Sequence, residues 1–238
     1  AILWKDWIVF KSKNVSATLS AIVGPLLYLI AFGWGLGRAV QVNGTGYTAF
    51  VIPGIIAMNS MTNSFNFIAN DISISRLYGK TFEATMMSPV RIWVFTLAKV
   101  TTGALRGLYG AAWILLISFL LHQGFRPDAY FILVLVLNCC VFSTIGFLTG
   151  LLIQSHADMS RVSSFIITPM SFLCGTFFPL DRFPLFLQRL FEILPLTQAV
   201  NGMRQGFHSV GSWTAPVVLC IYFLALLPLA VHVCRRTE

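Results

Sequence analysis

The chain has 238 residues, 57% of them hydrophobic and only 10% charged, where a soluble domain carries roughly 25% charged residues. Too little polar surface is left to cover a water-soluble globule of this size, so the chain belongs in a bilayer. The formal charge of +8 does not indicate nucleic acid, because the basic residues punctuate apolar runs instead of forming a patch, as topogenic charges do.

Residues 1–14, AILWKDWIVFKSKN, place Leu3, Trp4, Trp7, Ile8 and Phe10 on one side of a helix and leave Lys5, Lys11 and Lys13 polar. Tryptophan beside lysine suits a helix lying in the membrane interface; an ordinary start to the first span fits equally. That span is expected over 16–37, with Pro25 as a kink point and Gly33, Gly35 and Gly37 as close-packing positions. The run is long enough to span and lacks a small-residue cleavage site, so no cleaved signal peptide is expected. The chain starts at Ala1 without a methionine, which leaves room for a preceding segment.

Residues 38–47 read as a short polar loop, in which Asn43-Gly44-Thr45 is a glycosylation sequon only in a eukaryotic secretory setting. The second span is expected over 48–70. It holds Pro53-Gly54 and four amides, Asn59, Asn63, Asn66 and Asn70, whose spacings of four, three and four share one helical face. Such a face serves either as interhelical hydrogen-bond glue or as the wall of a substrate path. The two are compatible at a dimer seam.

The stretch 71–91, DISISRLYGKTFEATMMSPVR, cannot sit in lipid and reads as a short amphipathic helix closed by Ser88-Pro89. Gly79-Lys80-Thr81 looks like the end of a phosphate loop, but the pattern needs glycine where Ile74 stands, and no strand precedes it. Any ATP chemistry must therefore come from another chain.

A third span is expected over 99–121, with Gly103 and Gly107 as a G-x-x-x-G pair and Arg106 between them. A central arginine costs about 2.5–3.5 kcal/mol on insertion scales. It therefore meets water, a headgroup, an acidic partner or a substrate anion, or it snorkels to the near interface. An outer turn at 122–128 leads to the fourth span, 129–153, with Gly146 and Gly150 as a second small-residue pair. An inner loop at 154–161 precedes the fifth span, 162–178, which contains Pro169 and Gly175. The segment 179–212 is too charged to span simply. Phe186, Leu187, Leu190, Phe191 and Leu194 give it an apolar face between Pro184 and Pro195, and we expect two short helices at the outer surface, able to dip in as a re-entrant hairpin. The last span covers 213–234.

Six spans put both termini on one side. With that side inside, Lys5, Lys11, Lys13, Arg76, Lys80, Arg91, Lys99, Arg161, Arg235 and Arg236 are inner, and Arg38, Arg126, Arg182, Arg189 and Arg204 outer. This bias places both ends, and the 71–91 stretch, in the cytoplasm. Cys139, Cys140, Cys174, Cys220 and Cys234 have no C-x-x-C spacing and mostly sit in apolar runs, so neither a disulfide framework nor a cysteine metal site is expected. His122, His156, His208 and His232 are scattered, so no metal site is expected from histidines either. No acidic pair lies within a span, which argues against an ion-coupled or passive carrier or channel. No nucleophile and base share a membrane depth, which argues against a lipid-modifying enzyme. No inverted repeat is evident.

Five segments then carry a resemblance: GPLLYLIAFGWGLG at 24–37, YTAFVIPGIIAMNSM at 47–61, GKTFEATMMSPV at 79–90, ITPMSFLCGTFFPLDRFP at 167–184 and LPLTQAVNGMRQGF at 194–207. In this order they resemble the membrane (permease) subunits of ABC transporters of the type-2 export class, in the branch of nodulation-factor and drug-export permeases. The resemblance implies an all-α integral membrane protein, a single permease domain over 1–238 with six transmembrane helices, an N-terminal interfacial helix, a cytoplasmic coupling helix at 79–90 and short outer re-entrant helices before the last span. It implies no catalytic residue or cofactor in this chain, with ATP and Mg bound by two copies of a separate ABC ATPase, and pairing with a second copy or a similar permease. The coupling residues would be Lys80, Thr81, Phe82, Glu83, Met86, Met87, Ser88, Pro89 and Arg91, with Phe82, Met86 and Met87 as apolar anchors in the ATPase groove. The substrate path, lined by the second and fifth spans, would include Asn59, Asn63 and Asn66, with Arg106 as an anion contact; the outer gate would include Phe178, Pro179, Phe186 and Leu190. The implied role is export of an amphiphile (a lipid-linked saccharide, a lipo-oligosaccharide or a hydrophobic drug) across the inner membrane of a bacterium. Membrane lipids would be partners and nucleic acid would not.

Overall fold

The computed structural model describes residues 23–28, 30–31, 41–42, 45–77, 91–120, 127–153, 155–205 and 213–236. The fold is helical. Residues 23–28 are helical, and a minimal antiparallel hairpin follows, β1 (Gln41–Val42) paired with β2 (Thr45–Gly46), where a plain loop was expected. Next come α1 (Tyr47–Leu77), α2 (Ile92–Leu120) and α3 (Ala129–Leu152). A composite helix then combines α4 (His156–Val162), a π-helical turn (Ser163–Ile167) and α5 (Thr168–Leu173). A 3-10 turn (Leu180–Arg182), α6 (Leu185–Glu192), α7 (Pro195–Gln205) and α8 (Thr214–Arg236) complete the described chain.

The helix α1 is the hub, with α2, α3 and α7 packed around it. Every residue from Val51 to Met61 is buried. Its apolar residues are not confined to one stripe, which is the mark of a helix enclosed on all sides. Ile52, Ile55, Ile56, Met61 and Phe65 fill the main core together with Val134, Phe142, Phe177 and Leu196. A smaller cluster, Ile68, Ile72, Phe95, Phe147, Leu151, Ala230 and Cys234, joins α1 to α2, α3 and α8. All five cysteines are free thiols.

Both small-residue pairs lie where helices come closest. A Cβ on Gly146 of α3 would sit 2.6 Å from the carbonyl oxygen of Phe65. A Cβ on Gly107 of α2 would collide with the Ser64 hydroxyl. Polar bonds cross the same seams: Asn138 Nδ2 donates to Ser60 Oγ (2.9 Å) and to the Ala57 carbonyl (3.2 Å), and Ser143 Oγ donates to the Val100 carbonyl (2.7 Å).

Among the described residues, three helices are long and apolar enough to cross a membrane: α2, α3 and α8, with mean hydropathies of 1.5, 2.5 and 2.5. The longer α1 is not one of them by this measure; it carries the four amides together with Asp71 and Arg76.

The element ends differ from the expected ones for identifiable reasons. No separate helix begins at Asp71; α1 runs through to Leu77. Ile72 and Ser73 are buried there, and Asp71 and Arg76 bond to neighbouring helices, so the polar residues do not force an exit to water. Likewise α2 begins at Ile92, seven residues before the expected start at 99. The fifth segment starts at His156, because Ser155 caps α4 by accepting from the Asp158 amide at 3.2 Å. It ends at Leu173, because Gly175 takes a left-handed φ of 79° and turns the chain. Between these ends Pro169, which has no N–H to offer, follows the π turn, and Thr168 Oγ1 donates to the Ser163 carbonyl at 3.0 Å. Two short helices do follow residue 179, but α7 is not a surface element: Leu196, Thr197, Ala199, Val200 and Met203 are buried against α1, α3 and α8.

Candidate functional site

The amide face of α1 turns towards α2 and the π turn. Asn63 Nδ2 donates to both the carbonyl and the side-chain Oδ1 of Asn59, each at 2.9 Å. Both amides lie over Gly110 of α2, where a Cβ would approach Asn63 Nδ2 to 2.7 Å and Asn59 Nδ2 to 3.0 Å. Asn66 Oδ1 accepts from Ser163 Oγ at 3.2 Å, and Asn70 Nδ2 donates to the Asn66 carbonyl at 2.8 Å. Asn59 is buried, and its Nδ2 has no partner among the described residues. Asn63, Asn66 and Asn70 are half-exposed.

Arg106 joins this face through Phe67, whose ring lies 4.3 Å from the guanidinium carbon. Phe67 stands one helical turn from both Asn63 and Asn70. One turn further along α2 from Arg106, Tyr109 makes an edge contact with Trp113 at 6.1 Å. A cation over an aromatic face, half-exposed amides and edge-on aromatics give one wall that can meet hydroxyls, an anionic group and apolar surface together. It contains no arrangement for bond-breaking chemistry. Among the described residues no three His, Cys, Asp or Glu side chains cluster as a metal site needs.

Towards the C-terminal end of α1, Lys99 Nζ and Asp71 Oδ2 form an ion pair at 2.8 Å. Lys99 was expected at the mouth of its span; it lies two turns inside α2, buried, with its charge matched by Asp71. Arg76 donates to the carbonyls of Leu151 and Ile153, the latter at 3.4 Å, so a cation sits on the negative end of α3. Arg91 is exposed, and its carbonyl accepts from the Val94 amide at 2.9 Å to open α2. The other expected coupling residues, Lys80, Thr81, Phe82, Glu83, Met86, Met87, Ser88 and Pro89, lie outside the described residues.

Near the N-terminal end of α1 lies Arg204 of α7, counted from sequence only as an outer charge of the 179–212 segment. Instead its Nε donates to the Phe50 carbonyl (3.0 Å) and its Nη2 to the Thr176 carbonyl (2.9 Å), while its guanidinium carbon lies 3.6 Å from the Phe50 ring centroid. Tyr47 Oη donates to the Phe177 carbonyl at 3.0 Å. A Cβ on Gly54 would lie 2.6 Å from the Thr176 carbonyl oxygen, so the turn after Gly175 rests directly on α1. The sequence did hold a signal for Arg204: it continues the i, i+4 stripe of Leu196 and Val200, both fully buried. Of the expected gate residues, Phe178 and Pro179 follow this clamped turn, with Phe178 exposed and Pro179 half-buried; Phe186 and Leu190 lie on the exposed side of α6.

The sequence pattern of the ABC-2 type transporter family matches residues 1–208 of this chain. The chain belongs to that family. It is 29% identical over 198 residues to the inner membrane transport permease YadH of Escherichia coli, a match covering 82% of this chain and 77% of YadH. It is 27% identical over 242 residues to Nodulation protein J of Rhizobium leguminosarum bv. trifolii, covering 99% of this chain and 92% of that protein. Nodulation protein J of Rhizobium meliloti is 27% identical over 207 residues, covering 86% and 79%. This ABC-2 permease is thus a membrane transport component, as the resemblance implied. Family membership also implies a partner ABC ATPase. In this permease α1 takes part in all three described sites: the Arg204 clamp, the amide face and the Asp71 and Arg76 contacts.

Proposed function

We propose that this permease subunit moves an amphiphilic substrate outward across the inner membrane, driven by ATP hydrolysis on two copies of a separate ABC ATPase. In this reading it crosses the membrane six times with both termini inside, pairs with a second copy or a similar permease, and docks to the ATPase through residues 79–90. The observation that carries the reading is the continuity of α1. One helix runs from the Tyr47 and Arg204 contacts, past the amides, to Leu77 at the edge of the docking segment. Rigid-body motion of such a helix displaces the outer turn and the amide face together. The half-exposed Asn63 and Asn66, with Arg106 and Phe67, support a cargo with hydroxyl or anionic groups and an apolar part, such as a lipid-linked saccharide, a lipo-oligosaccharide or a hydrophobic drug.

The test is reconstitution with the cognate ATPase in proteoliposomes. Phe82→Asp and Glu83→Arg are expected to uncouple ATP hydrolysis from transport while the purified chain keeps its helical content. Asn63→Leu is expected to lower transport while leaving ATPase binding intact. Transport that proceeds without ATP, or wild-type coupling in both docking variants, would sink the reading in favour of an ion-coupled or passive carrier.

A further inference from the structure

The C-terminal half of α8 carries a feature that the transport reading does not use. Leu227, Pro228, Val231, His232 and Arg235 line an open groove of about 400 Å³. Their order along the helix separates two chemistries. The apolar Leu227, Pro228 and Val231 come first, followed by His232 and Arg235, with Arg236 beside them. His232, Arg235 and Arg236 are exposed, and the ion pairs among the described residues involve none of them. The two arginines occupy the last turn of the helix, where the negative end of the helix dipole favours cations.

The surroundings of the groove are lipid-like. Of the three helices able to span, α8 is the least enclosed: 17% of its apolar window is buried, against 39% for α2 and 67% for α3. Ile221, Leu224 and Leu229 expose about half or more of their surface. The groove therefore begins among side chains that acyl chains would cover and ends at cations standing at the level where such a helix leaves the hydrocarbon. From Leu227 to Arg235 the helix rises about 12 Å, the depth from the upper acyl chain to the phosphate of a phospholipid.

We propose that this groove binds an anionic phospholipid, with its phosphate between His232 and Arg235 and one acyl chain along Leu227, Pro228 and Val231. Charge complementarity selects the lipid class. A zwitterionic headgroup brings its own cation towards Arg235 and Arg236, whereas an anionic one does not. The site is independent of the transported substrate and of the ATPase, so it stands or falls separately from the transport reading.

Native mass spectrometry of the full chain in detergent tests it, with phosphatidylglycerol and phosphatidylcholine of identical acyl chains as probes. Phosphatidylglycerol is expected to bind more tightly. Arg235→Gln is expected to weaken it by about fivefold, the worth of one basic contact at a membrane surface. Arg161→Gln removes the same charge from α4 and is expected to change nothing. Val231→Trp fills the groove and is expected to weaken both lipids. Equal affinity for the two lipids in the wild type overturns the proposal, as does an equal loss in Arg161→Gln and Arg235→Gln. Displacement of the lipid by inorganic phosphate alone overturns it too, because the apolar strip would then contribute nothing.

Discussion

Arg204 shows what a single side chain does in this protein. Its fork bonds two carbonyls from different segments, Phe50 in α1 and Thr176 in the turn at Gly175, and its guanidinium lies over the Phe50 ring. A lysine has one compact ammonium and cannot reproduce the fork. Hydrogen bonds from a charged donor contribute about 1.5–3 kcal/mol in water-soluble proteins, and interhelical bonds in membranes average about 0.6 kcal/mol. Arg204→Ala is therefore expected to destabilise the folded chain by about 1–3 kcal/mol, and Arg204→Lys to recover less than half of that. Unfolding in mixed detergent micelles measures both, and wild-type unfolding in Arg204→Ala would remove the clamp. At this scale the sequence was legible where spacing speaks: the four amides do share a face of α1, as their four-three-four spacing requires. It was not legible where a partner lies far along the chain. Asp71 and Lys99 are 28 positions apart, and Arg204 and Phe50 are 154 apart. No local pattern announces either contact.

Among the elements, close approach to α1 is the organising constraint. Glycine at positions 107 and 146 lets α2 and α3 bring their backbones against it, and a membrane interior rewards such contact because burial of apolar surface there gains little over lipid. With a Cβ only 2.6 Å from the Phe65 carbonyl oxygen, backbone must move to accept any side chain at 146. Gly146→Leu is expected to destabilise the fold by about 1–3 kcal/mol, the usual cost of overpacking, and often more for so large a group. Among the described residues nothing lies within 4 Å of a Cβ on Gly24, so Gly24→Ala serves as the neutral control. Equal unfolding of the two variants would mean that the seam is not tight. The glycine pairs were visible in sequence; their common target was not, because a G-x-x-x-G pair marks a face without naming what lies against it. Element ends shifted for a related reason. Polar residues at the ends of α1 and α2 find partners on other helices, so the helices outrun their apolar stretches.

For the whole molecule, composition already required a bilayer, and α2, α3 and α8 meet the length and apolarity of spanning helices. The proposed six-span arrangement rests on the apolar runs of the sequence, and its proposed orientation, both ends inside, on the charge bias of the loops. Single cysteines, introduced one at a time into a cysteine-free chain at Lys13, Thr81 and Thr237 and separately at Thr45 and Arg126, are expected to split into two groups. The first three label only after the membrane is made permeable to a charged thiol reagent; the last two label in intact cells. Labelling of Thr81 from outside would reverse the orientation and remove the docking role of the 79–90 segment.

Taken by itself, the sequence determined the solvent, the helical class, the amide face and the small-residue seams, because each follows from composition or from spacing within one helix. It also carried enough of the ABC-2 pattern to imply the family. Tertiary structure alone decided that α1 is enclosed as the hub, that α7 is core and not surface, and that Asp71, Lys99, Arg76 and Arg204 are held by protein. The physical reason is that a charge in a membrane protein takes its position from its partner. When that partner belongs to another helix, only the packing of the two reveals it.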